Sequence, residues 1–221
     1  MSSDNRTHYS GNHIQCSDNY VQYLTEFFTS WAWAYDLLTS PFYYLRKIMA
    51  DRIGKKHSKI LDVACGTGDQ SLAFARRGHK VIGIDITSKM LEYAKKKITP
   101  ALDMKFMLHD ASRLPFKDNR FDAASIGFAV HEMPDEIAVK VLREMKRVTK
   151  KGGKILITDH SHPANKVLAS IAYHFELTFE TKYFRRYMEL GLDHYLNKAG
   201  LKPVWRKKKF LGVVELVECR V

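Results

Sequence analysis

Leu61-Asp62-Val63-Ala64-Cys65-Gly66-Thr67-Gly68-Asp69 is the stretch on which the fold turns. Its first residues end a short apolar run, Lys59 to Val63, that reads as a buried strand. From Asp69 to about Arg77 the pattern is helical and stops at Gly78. Glycines spaced G-x-G at a strand-to-helix turn let the backbone take positive φ and approach a ligand closely. A dinucleotide fingerprint would place a third glycine at position 71, which is Ser71, so a pyrophosphate cradle is not supported.

Working outward, the same alternation repeats. Lys80–Asp85 reads as a second strand, Thr87 as the cap of a helix running to about Ile98, and Met104–Leu108 as a third strand. Phe121 to about Phe128 is a fourth, Asp135 to about Thr149 an amphipathic helix, and Lys154–Thr158 a fifth strand after Lys151-Gly152-Gly153. Strands alternating with helices pair in parallel through right-handed crossovers, which predicts an α/β doubly wound sheet. Before this core, helical spacing predicts one helix from Tyr20 to about Leu38 and another from Pro41 to about Ile53. After it come two helical patterns, Ala164–Thr181 and Tyr183–Ala199. Two extended runs, Lys202–Phe210 and Gly212–Val221, then suggest a hairpin at Leu211-Gly212. The expected organisation is a flexible segment 1–19 and a single domain 20–221, divided into an N-terminal helical part at 20–56, an α/β core at 57–160 and a helical insertion at 161–200.

Composition agrees with one packed domain. The chain has 221 residues, 45% of them hydrophobic, enough apolar surface to exclude disorder as the main state. No stretch is long and apolar enough for a membrane span, and the polar N-terminus lacks a signal core, so a cytoplasmic location is expected. Cys16, Cys65 and Cys219 show no CxxC spacing and read as reduced thiols. The net charge of +12 comes from short, scattered basic tracts such as Arg206-Lys207-Lys208-Lys209. Such tracts read first as solvated faces and second as weak attraction to an anionic headgroup or ligand.

Three acidic positions stand at the strand ends: Asp62 before the glycine turn, Asp85 closing the second strand, and Asp110-Ala111 just past the third. An ionised carboxylate ending a second strand can accept both hydroxyls of a ribose. Asp110 can accept from an adenine amino group, while the small Ala111 leaves room for the ring.

With these strings in view, the chain resembles class I S-adenosylmethionine-dependent methyltransferases, and within them the ubiquinone/menaquinone C-methyltransferase group and related type 11 enzymes. The resemblance rests on LDVACGTGD at 61–69, VIGIDIT at 81–87, HDASRLPFKDNRFDAASIGFAVHEMP at 109–134 and LREMKRVTKKGGKILITD at 142–159. It implies a mostly parallel seven-stranded Rossmann-like sheet with an N-terminal helical lid and a C-terminal hairpin. It also implies S-adenosylmethionine as cofactor, released as S-adenosylhomocysteine. In such a site Asp62 and the loop Ala64, Cys65, Gly66, Thr67 and Gly68 lie against the methionyl part. Asp85 binds the ribose, Ile86 and Met90 flank the adenine, and Asp110-Ala111 fix its edge. The family usually has Gly where this chain has Ala64. Several quinone enzymes carry Ser where this chain has Gly127, which leaves only backbone to offer there.

Methyl transfer from a sulfonium needs mainly alignment and exclusion of water, a contribution of about 7 to 11 kcal/mol in well-oriented cases. His131 and His160 are the expected acceptor-side residues, and Tyr35, in a Tyr-Asp pair similar to that of the quinone enzymes, is expected to close over the cofactor. Phe27, Phe28, Trp31 and Trp33 are expected to pack the lid. The Asp159-His160-Ser161-His162 run has a metal-like look, but i,i+2 side chains of an extended segment diverge, so no metal is expected. The acceptor implied is a small or lipid-like molecule: a quinone-like ring, a phospholipid amine or another metabolite. Peripheral contact with a membrane surface is compatible with the charge. A base-amine nucleic-acid methyltransferase would carry an Asn/Asp-Pro-Pro-aromatic tetrapeptide where this chain has Gly127-Phe128-Ala129-Val130, which argues against nucleic acid, though other RNA chemistry stays open. A non-catalytic module that binds the cofactor or its product is the remaining alternative, and oligomeric state is not legible.

Overall fold

The computed structural model describes residues 15–54, 57–163, 165 and 181–221. Seven strands form one sheet: β1 (Lys59–Val63), β2 (Lys80–Asp85), β3 (Met104–Leu108), β4 (Phe121–Gly127), β5 (Thr149–His160), β6 (Lys202–Lys209) and β7 (Val214–Arg220), in the order β3-β2-β1-β4-β5-β7-β6. The first five are parallel, and β7 runs antiparallel between β5 and β6. The expected doubly wound sheet with a C-terminal hairpin is therefore present. β1 is buried in four of its five positions, as a central parallel strand covered on both faces must be.

The helices are α1 (Gln15–Trp31), α2 (Tyr35–Leu38), α3 (Tyr43–Ile53), α4 (Asp69–Ala75), α5 (Ser88–Lys95), α6 (Asp135–Val148), α7 (Phe184–Leu190) and α8 (Leu192–Ala199). They cover the two faces. On one, α3, α4 and α5 bury Leu45, Met49, Phe74 and Leu91 against Ile60, Val81 and Leu156. On the other, α6, α7 and α8 bury Leu142, Met145, Tyr187 and Leu196 against Leu61, Ile126 and Ile155, with Tyr20 and Leu24 of α1 completing that core.

Several boundaries differ from expectation. The helix expected over Tyr20–Leu38 is two, because the chain turns after Trp31 and restarts at Tyr35; α1 also begins at Gln15, inside the segment expected to be flexible. Residues 1–14 lie outside the described residues, as does nearly all of the helix expected over Ala164–Thr181. The pattern over Tyr183–Ala199 splits at Gly191, whose φ of 72° and ψ of 160° belong to a region open essentially to glycine. β5 is longer than expected, starting at Thr149 directly after α6. The hairpin is closed by a 3-10 turn, Phe210–Gly212, rather than a two-residue loop. Thr87 precedes α5 but makes no side-chain cap; its backbone N–H instead donates to Asp85 Oδ1 at 2.8 Å.

Candidate functional site

In a parallel sheet the loops that leave the carboxyl ends of neighbouring strands converge, and here those of β1, β2, β3, β4 and β5 enclose two adjoining cavities. Ala64, Gly66, Asp85, Tyr35, Gly127 and Phe128 stand at or near their junction.

The glycine turn is shaped by backbone constraint. Ala64, Gly66 and Gly68 all have positive φ, at 50°, 53° and 83°. Glycine takes this region freely, whereas Ala64 does so against its Cβ, which is the physical cost of lacking the family's usual glycine. Gly68 is also required by packing, since a Cβ there would stand 2.7 Å from Phe106 Cζ. A Cβ on Gly66 would meet only Tyr35 Cε1, at 3.8 Å, so Tyr35 lies directly above the loop. The Cys65 thiol packs toward Gly83, and burial pushes its pKa well up, which keeps it an inert neutral thiol.

The first cavity is lined by Asp85, Ile86, Met90, His109, Asp110 and Ala111 from the β2 and β3 ends, and by Tyr20, Leu24 and Phe28 from α1. Asp85 Oδ2 accepts the Gly66 N–H at 2.7 Å, so the carboxylate ties the β1 turn to the β2 end. Burial raises its pKa, opposed by the backbone N–H groups of Thr87 and Gly66. The Thr87 side chain and the Ile86 backbone also hydrogen-bond this carboxylate. Asp110 is braced by the backbone N–H and hydroxyl of Ser112 at 2.8 and 2.9 Å.

The second cavity, about 500 Å³, falls in the range of small-molecule sites. One end is polar: Asp62, Thr67, Asp69 and Arg46. Asp62 is fully buried and accepts from Ser71 Oγ at 2.6 Å; burial pushes its pKa up to about 7, the serine bond pulling the other way. Thr67 Oγ1 donates to Asp36 at 2.5 Å, and Lys97 bridges Asp36 at 2.8 Å and Asp69 at 2.5 Å, while Arg46 pairs with Asp69 at 2.8 Å. This network fastens α2 to the glycine turn. Sequence reasoning missed Arg46, Asp69 and Lys97, which come from three separate elements.

The other end is apolar, walled by Phe27, Phe28, Trp31, Leu38, Phe42 and Phe128, with His131 and His160 at its floor. The lid expectation needs correction for Trp33: it is 73% exposed and packs nothing there, because it falls in the turn between α1 and α2. Gly127 has open space where a Cβ would be, and the following Phe128, at φ 51°, stacks at 4.9 Å against Phe42.

His131 and His160 do come together, their rings 4.6 Å apart and edge to face. His131 Nδ1 lies 2.5 Å from Asp159 Oδ1, and its Nε2 lies 3.2 Å from Glu132 Oε1. Asp159 also accepts the backbone N–H of Val130 at 3.0 Å and of His160 at 2.8 Å. His131, Asp159 and His160 bring one ligand-type atom each within 4.8 Å of one another, a grouping not evident from the linear run, in which His162 diverges to the Met188 carbonyl. Two ligands about 2.1 Å from a tetrahedral metal would stand about 3.4 Å apart. His131 Nδ1 and Asp159 Oδ1, 2.5 Å apart, are joined by a hydrogen bond. Glu132 is, with His131 and His160, among the acceptor-side candidates of the sequence, whereas Asp159 reads there only within the metal-like run.

Asp85 and Asp110 line the first cavity and Asp62 the second, and the two cavities share Tyr35, Ala64 and Gly127 in their walls. This donor set fits S-adenosylmethionine. Comparison with known proteins gives the same answer. The profile of the ubiE/COQ5 methyltransferase family matches residues 18–183. The demethylmenaquinone methyltransferase of Staphylococcus aureus (strain JH9) is 31% identical over 180 residues, covering 76% of this chain and 74% of that protein. Among solved structures, a protein from Pyrococcus horikoshii OT3 superposes with a TM-score of 0.66 at 21% identity, over 82% of this chain and 89% of that one. A SAM dependent methyltransferase from Aquifex aeolicus superposes with 0.61 at 21% identity, over 79% and 88%. At such identities the structural likeness establishes the fold.

Proposed function

Because the chain belongs to the ubiE/COQ5 methyltransferase family and is an S-adenosylmethionine-dependent methyltransferase, we propose that it methylates a ring carbon of an amphiphilic, quinol-type acceptor. The observation that carries this reading is the aromatic-walled cavity of about 500 Å³, which adjoins the cofactor crevice at Gly127-Phe128 and holds ionisable groups only toward its polar end and on its floor. A flat ring enters such a slot against the aromatic wall of Phe27, Phe28, Trp31 and Phe128, and the demethylmenaquinone methyltransferase relative acts, by its name, on a molecule of this kind.

Bound S-adenosylmethionine supplies an electrophilic methyl group on a positively charged sulfur. The residues of the chain do the rest. Asp85 and Asp110 hold the nucleoside, Asp62 offers a carboxylate to the methionyl ammonium, and Thr67 with Arg46 borders the same end. Tyr35 and Phe28, which face both cavities, keep water from the junction. A quinol carbon becomes nucleophilic as its hydroxyl gives up a proton, and the ring must release one proton in all when it gains a methyl group. His131 takes it on this reading. Asp159 orients the ring through Nδ1, the Glu132 carboxylate 3.2 Å from Nε2 shares the proton that the imidazole takes up, and His160 and Phe184 hold the imidazole edge to face.

The test incubates the purified protein with methyl-deuterated cofactor and a reduced short-chain prenyl naphthoquinol, in parallel with phosphatidylethanolamine and with RNA. The expected result is a deuterated methyl on the naphthoquinol ring. Label in the lipid amine or RNA instead, or tight product binding with no transfer to any of the three, would overturn the acceptor assignment.

A further inference from the structure

Eleven large hydrophobic side chains are exposed among the described residues, and eight of them fall in only two segments, residues 31–44 and 210–211. Single exposed apolar residues are ordinary on any protein, but a cluster of this kind marks a contact surface. The two segments touch. The Phe42 and Phe210 rings are 5.5 Å apart, and Lys209 Nζ reaches Tyr44 Oη at 3.3 Å. The outermost members, Trp33, Leu37 and Leu211, are 73%, 76% and 80% exposed.

The hairpin tip carries an independent sign. Phe210 and Leu211 both have positive φ, at 50° and 56°, a region that favours glycine or asparagine at a turn. A strained backbone here holds an 80% exposed leucine at the hairpin turn. Lys209 stands beside these apolar tips at Tyr44, the adjoining α3 and β6 carry the exposed Lys47, Lys207 and Lys208, and the whole chain carries +12. The same segments form the mouth of the acceptor cavity, since Trp31, Leu38 and Phe42 line it. No described helix is long and apolar enough to cross a bilayer, so insertion would be shallow.

Resting on the acceptor reading above, we propose that the surface formed by residues 31–44 and 210–211 docks on an anionic lipid bilayer. Leu37, Leu211 and Trp33 enter the headgroup boundary, the lysines meet the lipid phosphates, and the cavity mouth faces the membrane. A ring acceptor with a long apolar tail then reaches the slot without leaving the bilayer. Charge complementarity and continuity with the cavity favour this occupant over a second copy of the chain.

The test is co-sedimentation of the full chain with phosphatidylcholine vesicles, with and without phosphatidylglycerol. Binding is expected only with the anionic lipid and is expected to weaken with salt. Leu211→Gly, which also relieves the strained backbone, and Leu37→Ser should each weaken partitioning by about tenfold. Lys47→Gln and Lys207→Gln should each do so by about fivefold. Calorimetry with S-adenosylhomocysteine should find all four variants folded and binding as the parent does. Failure of the parent to bind anionic vesicles, equal binding to both vesicle types, or undiminished binding by the leucine variants would overturn the proposal. So would a concentration-dependent dimer abolished by Leu211→Gly in the absence of vesicle binding. Vesicle binding without naphthoquinol methylation upholds the docking surface and sinks the acceptor assignment, and methylation without vesicle binding does the reverse.

Discussion

His131 Nδ1 stands 2.5 Å from Asp159 Oδ1, joining the turn after β4 to the end of β5 across 28 residues of chain. Both groups are buried, and Asp159 accepts two backbone N–H groups as well, so the carboxylate is fixed before any acceptor arrives. We propose that this contact orients the buried imidazole to act as a base.

Asp159→Asn keeps the shape but removes the charge that fixes the His131 tautomer. We expect kcat to fall by about a hundredfold or more, with the affinity for S-adenosylhomocysteine unchanged and the acid limb of the pH–rate profile displaced. Steady-state kinetics beside calorimetry check this. A parallel loss of product affinity would mean that Asp159 acts through the fold and not through His131.

Asp62 gives a pH dependence whose sign is fixed by burial. Its folded pKa is raised from the usual 3.8 to about 7, so between these values the folded protein holds a proton that the unfolded chain has released. The associated stability is complete at the acid end of the window and is lost as pH rises toward about 7. A cofactor ammonium beside Asp62 favours the ionised form, so binding should tighten across the same window and release a proton. Calorimetry in buffers of different ionisation enthalpy counts that proton, and Asp62→Asn should flatten both trends.

Ala64 holds φ at 50° where glycine would be unstrained. Ala64→Gly is expected to stabilise the protein by about 0.5 to 1 kcal/mol, a rise in Tm of a few degrees, because the relief of strain exceeds the added freedom of the unfolded chain. A lower Tm would show that the loop carries no such strain.

Gly83 and Gly127 should respond oppositely to substitution. A Cβ at Gly83 would lie 2.6 Å from Phe106 Cδ1 and 2.9 Å from Cys65 Sγ, so Gly83→Ala should destabilise by about 1 to 3 kcal/mol. A Cβ at Gly127 meets nothing within 4 Å. Gly127→Ser should therefore fold normally and, by adding a hydroxyl beside the methionyl end, tighten S-adenosylhomocysteine by about threefold to tenfold. Thermal unfolding and calorimetry of the two variants separate the cases.

The strand–turn–helix at 59–77, the alternation that follows it and the strand-end carboxylates Asp62, Asp85 and Asp110 were legible in the linear sequence. They depend on the period of buried apolar residues and on local turn chemistry, which act over a few residues. Element ends were less legible, since the break after Trp31, the long β5 and the split at Gly191 answer to packing against neighbours. Only the tertiary structure decided the pairing of His131 with Asp159, the Arg46–Asp69–Lys97–Asp36 network and the apolar slot walled by Phe28, Phe42 and Phe128. Each joins residues from separate elements, and contacts of that kind exist only once the sheet order and the helix docking have brought distant stretches of chain to one edge.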